Sequence, residues 1–212
     1  MERLFGQRNL DQILSAFFQA LDLARDVISA GSQLVRASLA LLLFSCTVFL
    51  LNAERVYKVG DRGPAGGIVF YDKGEITEGW RYLEAAPGDA SKGISWAIGD
   101  ADVKVNTENA IGTGKANTKA IIEAQGEGVY AALLCRNLTT GGYNDWFLPS
   151  RAELELLWTV LAKNGLGGFD KKWYWSSTRG KAGSVAWYQF FLDGDHIGSR
   201  NLKLNVRAVR SF

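Results

Sequence analysis

The spacing of apolar positions changes period twice between residues 54 and 212. Residues 68–71 and 80–85 carry short apolar runs between glycine-rich turns and read as strands, with 72–79 as the hairpin loop joining them. Residues 55–59 read as a strand before them, and 94–98 as a weaker strand after them. From residue 117 the period becomes helical. One helix is expected over 117–125 with Asn117 as its cap, and a second over 129–138. A third opens with Ser150-Arg151-Ala152-Glu153, a capping box, and carries Leu154, Leu157, Val160 and Leu161 at core spacing. Asn164-Gly165 is expected to close it. Beyond residue 172 the pattern returns to strands. Strands, then helices, then strands predict an α+β domain with segregated helices, whose two ends supply adjacent strands.

The closing strands concentrate the unusual chemistry. Alternation across 186–192 puts Trp187, Gln189 and Phe191 on one face and Tyr188, Phe190 and Leu192 on the other. A strand with one wet face shows polar residues there. Here both sides are greasy. Either the strand is covered on both faces, or Tyr188, Phe190 and Leu192 form an outward apolar patch of the kind that meets a partner. Asp193-Gly194 reads as a turn, and residues 195–205 follow no period. The chain carries a net charge of only +2, yet residues 171–212 hold eight Lys/Arg against two acids. Lys171, Lys172, Arg179, Lys181, Arg200 and Lys203 are candidates for an anion-binding patch. Arg207 and Arg210, in the final strand, are expected to pair with acids of the fold.

The first 53 residues differ in kind. They contain no lysine, and residues 37–51 are almost unbroken apolar. A membrane-spanning helix wants about 20 such residues. This shorter run, with Arg36 ahead of it, reads as the core of an export signal. Leu43-Phe44-Ser45-Cys46 resembles a relaxed lipobox that would make Cys46 the lipidated first residue. Leu51-Asn52-Ala53 resembles a small-residue cleavage site that would leave a simply secreted chain. Residues 4–28 can be read as an amphipathic helix, or as sequence upstream of a true start at Leu34 or Val35.

Several chemistries are argued against. Gly112-Thr113-Gly114-Lys115 looks like part of a phosphate loop, but Asn109 stands where a glycine is needed and Ala116 where Ser or Thr is needed. His196 is the only histidine, which leaves a His-based metal site or triad without partners. Cys135 reads as a buried helix residue, with no disulfide expected. Asp100, Asp102, Asp193 and Asp195 lack calcium-loop spacing. Asp145 reads as a turn-organising acid. No catalytic residue, metal or cofactor is expected.

Separated motifs carry a resemblance. Tyr57-Lys58-Val59-Gly60-Asp61-Arg62-Gly63-Pro64-Ala65-Gly66-Gly67-Ile68-Val69-Phe70 is one, and Gly79-Trp80-Arg81-Tyr82-Leu83-Glu84-Ala85-Ala86-Pro87 another. Asn144-Asp145-Trp146-Phe147-Leu148-Pro149-Ser150, Tyr174-Trp175-Ser176-Ser177-Thr178 and Val206-Arg207-Ala208-Val209-Arg210 complete the set. Together they resemble the family named for the C-terminal domain of a collagen-like adhesin, and within it the variable surface lipoproteins diversified by a retroelement. The resemblance implies a C-type-lectin-like fold of the formylglycine-generating-enzyme type and a ligand-binding face in the last segment. That face would comprise Tyr188, Phe190, Leu192, Asp195, His196, Ile197, Ser199, Arg200, Asn201, Leu202, Leu204 and Asn205. In that system the randomised adenines lie mostly in Asn codons ending in a pyrimidine, which cannot become Trp, Gln or Lys, so Trp187, Gln189 and Lys203 would be framework. It favours the outward reading of Tyr188, Phe190 and Leu192. The enzyme relatives of this fold use a cysteine pair, whereas Cys135 is the one cysteine of residues 54–212, so their activity is expected to be absent. The implied partner is a protein ligand, with an anionic glycan as the alternative. Nucleic acid is not implied, and membrane contact would come only through a lipid anchor or an uncleaved signal.

Overall fold

The computed structural model describes residues 55–99, 103–180, 186–194 and 202–212, the backbone of 196–198, and Gln19. The chain divides between Val56 and Tyr57, and every described strand belongs to the unit from Tyr57 to Phe212. The expected export segment with Cys46 and the expected helix at 4–28, Gln19 apart, lie outside the described residues. So do Asp100, Asp102, Lys181, Asp195, Ser199, Arg200 and Asn201, and the side chains of His196 and Ile197.

The unit is a mixed α+β domain. Strands β1 (Ile68–Thr77) and β2 (Trp80–Ala85) form an antiparallel hairpin. Strand β3 (Ser91–Ile94) precedes the helices α1 (Gly114–Gln125), α2 (Ala131–Arg136) and α3 (Arg151–Leu156). Strands β4 (Trp173–Arg179), β5 (Ala186–Phe190), β6 (His196–Gly198), β7 (Leu204–Val206) and β8 (Val209–Ser211) complete the chain. One sheet has the order β1-β2-β8, the other β3-β7-β4-β5-β6, with β4 and β7 parallel through Tyr174 and Asn205. The two ends of the domain are therefore not paired with each other. They flank β2, and they meet through side chains, with the Tyr57 and Phe212 rings 5.2 Å apart edge to face.

Some expected elements shift for identifiable reasons. Residues 55–59 form no strand. Their backbone is held by side chains instead: Tyr57 N–H donates to the Tyr82 hydroxyl (3.2 Å) and Lys58 N–H to Asp61 (2.8 Å). Helix α1 starts three residues before Asn117, after Thr113. Asn117 is a buried brace rather than a cap. Its amide accepts from Glu108 N–H (2.8 Å) and donates to the Glu108 carbonyl (2.8 Å) and Ser177 hydroxyl (3.2 Å). The capping box at Ser150 and Glu153 forms in full. Helix α3 then loosens into a π turn (Leu157–Leu161) and tightens into a 3₁₀ turn (Ala162–Asn164), ended by Gly165 at φ 69°, a left-handed conformation that glycine adopts without cost.

Two apolar clusters make the core. Ile121, Tyr130, Trp146, Trp175, Tyr188 and Val206 belong to the first. Phe70, Leu83, Leu154, Leu157, Leu161, Tyr174 and Val209 belong to the second. The buried indoles are satisfied, as buried donors must be. Trp175 donates to the Ile94 carbonyl (2.8 Å), Trp96 to that of Ser176 (2.9 Å) and Trp146 to that of Tyr143 (3.1 Å). The Ser176-Ser177-Thr178 run in β4 is a clamp. The Ser176 hydroxyl donates to the Trp187 carbonyl (2.8 Å), Ser177 N–H to that of Pro149 (2.7 Å), and the Thr178 hydroxyl accepts from Arg151 N–H (2.9 Å).

Candidate functional site

Strand β5 lies between β4 and β6, with Trp173 opposite Phe190 and Trp175 opposite Tyr188. This pairing decides which side chains on the Tyr188 face reach solvent. Tyr188 is not outward. It is only 5% exposed, inside the first cluster, with its ring edge-to-face on Trp175 (5.3 Å) and Trp173 (5.1 Å). Phe190 is half-buried and stacks on Trp173 at 4.4 Å and 24°. Leu192, in the turn beyond, is 56% exposed. One face of one strand therefore runs from core to surface within five residues. On the other face Gln189 and Phe191 are buried, while Trp187 is half-buried under the Arg151 guanidinium at 3.8 Å. Of the remaining expected ligand residues, Leu202 is 42% exposed. Leu204 and Asn205 are buried, against expectation. Strand β7 has both edges paired, between β3 and β4, and Leu204, Asn205 and Val206 are all buried, so neither face of it is free.

Asn205 belongs to a buried ionic knot. Its amide donates to Asp89 Oδ2 (3.3 Å), which also accepts from the Tyr174 hydroxyl (2.9 Å). The other oxygen, Asp89 Oδ1, accepts from Arg207 Nε at 2.8 Å, with Arg207 Nη2 2.7 Å away. Arg207 is 1% exposed and also donates to the carbonyls of Ala86 (3.3 Å) and Gly167 (2.6 Å), above the Phe169 ring. Burial, with Asp89 nearby, pushes the Tyr174 phenol up to about 12. Arg210 is bidentate to Asp145 (2.8 and 2.9 Å) and reaches Glu84 (3.4 Å). Burial pulls the Asp145 carboxyl up, but the Arg210 guanidinium outweighs it and holds the carboxyl below its ordinary range. Both arginines of the last strand region are thus structural. Asp145 organises more than a turn. Among the other basic candidates, Lys171, Lys172 and Lys203 are exposed.

Two buried glutamates hold glycine loops, which the sequence did not suggest. Glu84, fully buried in β2, accepts from the backbone N–H of Gly67 (2.8 Å) and Ala65 (3.3 Å). Glu153 accepts from Ser150 N–H (2.7 Å), Gly112 N–H (2.8 Å) and Gly114 N–H (3.4 Å). The resemblance of residues 112–115 to a phosphate loop has this physical content: the amides a phosphate would take are turned onto an internal carboxylate. Burial pushes the Glu153 carboxyl up to about 7, against the pull of those donors.

Folding therefore takes up a proton at Glu153 between pH 4.5, its ordinary value, and about 7. The group favours the folded state most at acid pH, and that contribution is lost as pH rises through 7, by about 3 kcal/mol in all. Urea unfolding at pH 5 and pH 8 should show this fall in the wild type. Glu153→Gln, which cannot titrate, should show a flatter profile. An identical slope in both would remove Glu153 as its source.

A groove of about 800 Å³ opens elsewhere on the unit, lined by Trp80, Gly112, Lys115, Lys119, Arg136 and Asn144 among others. Its residues come from separated segments, which no local pattern brings together. Cys135 is a buried free thiol whose ionisation burial opposes. Among the described residues there is no group of three or more His, Cys, Asp or Glu that could hold a metal ion. No family model matches the chain, and no curated protein matches it.

Proposed function

We propose that residues 57–212 are an exported, surface-displayed binding domain, with a C-type-lectin-like fold, that takes a protein ligand on its closing strands. The domain would belong with the family named for the C-terminal domain of a collagen-like adhesin, and the turn positions after β5 would be those open to diversification. The observation that carries this reading is the ledge made by the Trp173–Phe190 stack, with Leu192 56% exposed in the turn two residues on. Aromatic side chains already fixed against a sheet bury area on binding at little entropic cost. The site is narrower than the sequence suggested: Tyr188 supports the ledge from below, and Leu204 and Asn205 lie under the surface.

An anionic glycan is the second reading, favoured by exposed Lys171, Lys172 and Lys203. The two readings respond differently to salt, because screening shortens the reach of surface charge from about 8 Å to about 3 Å between 0.15 and 1 M. The full chain is to be screened against extracellular proteins and sulfated glycans at both concentrations. A protein ligand retained at 1 M salt, and weakened at least about tenfold by Phe190→Ala, is the expected result. Binding that ignores Phe190→Ala and collapses in salt would move the site to the lysines.

A further inference from the structure

We propose that the groove beside β8 is a second binding site, one that takes an acidic peptide segment in extended conformation. It shares no residue with the Trp173–Phe190 ledge and does not rest on the reading given to that ledge. Lys115 and Lys119 are four residues apart on α1, hence on one helical face, and Arg136 ends α2. All three are exposed and line the groove. Lys119 has only a loose contact with Glu123 at 3.7 Å, between side chains 73% and 66% exposed. Such a pair leaves the ammonium available. Two acids also line the groove. Asp145 is neutralised by its bidentate Arg210, which leaves Glu78 against three cations.

The main chain supplies the second half of the argument. Tyr82 and Phe212 exchange both backbone hydrogen bonds (2.9 and 3.1 Å). Antiparallel alternation then makes Glu84 and Arg210 the next such pair and turns the N–H and carbonyl of Ser211, itself a groove-lining residue, away from β2. Val209 turns the same way, but its two groups are already taken by Phe147 (2.8 and 3.0 Å). Ser211 has no backbone partner on that side among the described residues. An extended peptide could pair with Ser211 and place its alternate side chains toward Lys115, Lys119 and Arg136. The peptide is favoured over an acidic sugar because the Trp80 ring offers a poor stacking platform. The Lys73 ammonium sits 3.7 Å over it, and the ring packs so tightly on Gly112 that a Cβ there would lie 2.9 Å away.

Fluorescence anisotropy of the full chain with a labelled peptide of alternating glutamate and valine tests the proposal. Saturable binding is expected, weakened at least about tenfold by Lys115→Glu with Lys119→Glu, and similarly by Arg136→Glu. Methylating alternate backbone nitrogens of the peptide should weaken it comparably, whereas Phe190→Ala should leave it unchanged. Near-UV circular dichroism would check that these surface variants remain folded. The proposal is overturned by absence of binding, by indifference to charge reversal or to methylation, or by loss in Phe190→Ala. Displacement of the peptide by a sulfated hexasaccharide of higher affinity would also overturn it, assigning the groove to carbohydrate.

Discussion

Replacing Arg207 with methionine is expected to cost about 3–5 kcal/mol of folding stability, because it strands a buried carboxylate. The Asp89 side chain is 4% exposed, and Arg207 is its only ion-pair partner among the described residues. Without the guanidinium, Asp89 keeps the Tyr174 hydroxyl and the Asn205 amide, two neutral donors for a full negative charge. The carbonyls of Ala86 and Gly167 lose their donor in the same step. A melting temperature lower by on the order of 10 °C should follow for a unit of this size. Arg207→Lys should rescue little, since one ammonium cannot replace the planar fork that spans Asp89 and both carbonyls. The double change Arg207→Met with Asp89→Asn should recover part of the loss, because the stranded charge is gone. Thermal and urea unfolding of the three variants measure this. If the double variant were no better than Arg207→Met alone, the cost would lie in packing on Phe169 rather than in the buried charge.

Pairing of the last arginines was legible in the sequence because two cations in a short apolar strand have few other fates. The exposure of 186–192 was not. Period-two alternation assigns side chains to faces, but it does not say what covers each face. Here coverage changes along the strand. Tyr188 lies opposite Trp175, which sits deep in the first cluster, whereas Phe190 lies opposite Trp173 near the rim. The capping box was readable because Ser150 and Glu153 interact within one turn. Yet the same Glu153 also reaches back to Gly112 and Gly114, some forty residues earlier, and no local spacing records that. Glu84 hides in the same way. An acid between Leu83 and Ala85 on a strand reads as the solvent side of the sheet. The groove lies further from any local signal, since α1, α2, the β1–β2 turn, the Asn144–Phe147 segment and β8 each supply part of it.

Gly66 and Gly67 are neighbours in sequence and should respond very differently to alanine. At Gly67 a Cβ would stand 1.8 Å from the Ala85 carbonyl oxygen and 3.1 Å from Glu84 Oε1. The obstacle is backbone, in the β2 residue that pairs with Ile68 at the start of β1, so it cannot swing aside. Relief requires β1 and β2 to part there. That breaks the 2.8 Å bond from Gly67 N–H to Glu84, a fully buried carboxylate whose remaining donors, Ala65 N–H and Arg210, stand at 3.3 and 3.4 Å. Overpacking of about 1–3 kcal/mol and a lost bond to a charged group of about 1.5–3 kcal/mol together predict a loss of roughly 3–5 kcal/mol. Gly66 has open space around it, and its φ of 80° is the only objection to a side chain. Gly66→Ala should therefore cost only about 1–2 kcal/mol. Urea midpoints for the two variants measure the contrast. Equal losses would mean that the turn's backbone conformation, and not its contact with Glu84 and Ala85, is what residues 63–67 are built to keep.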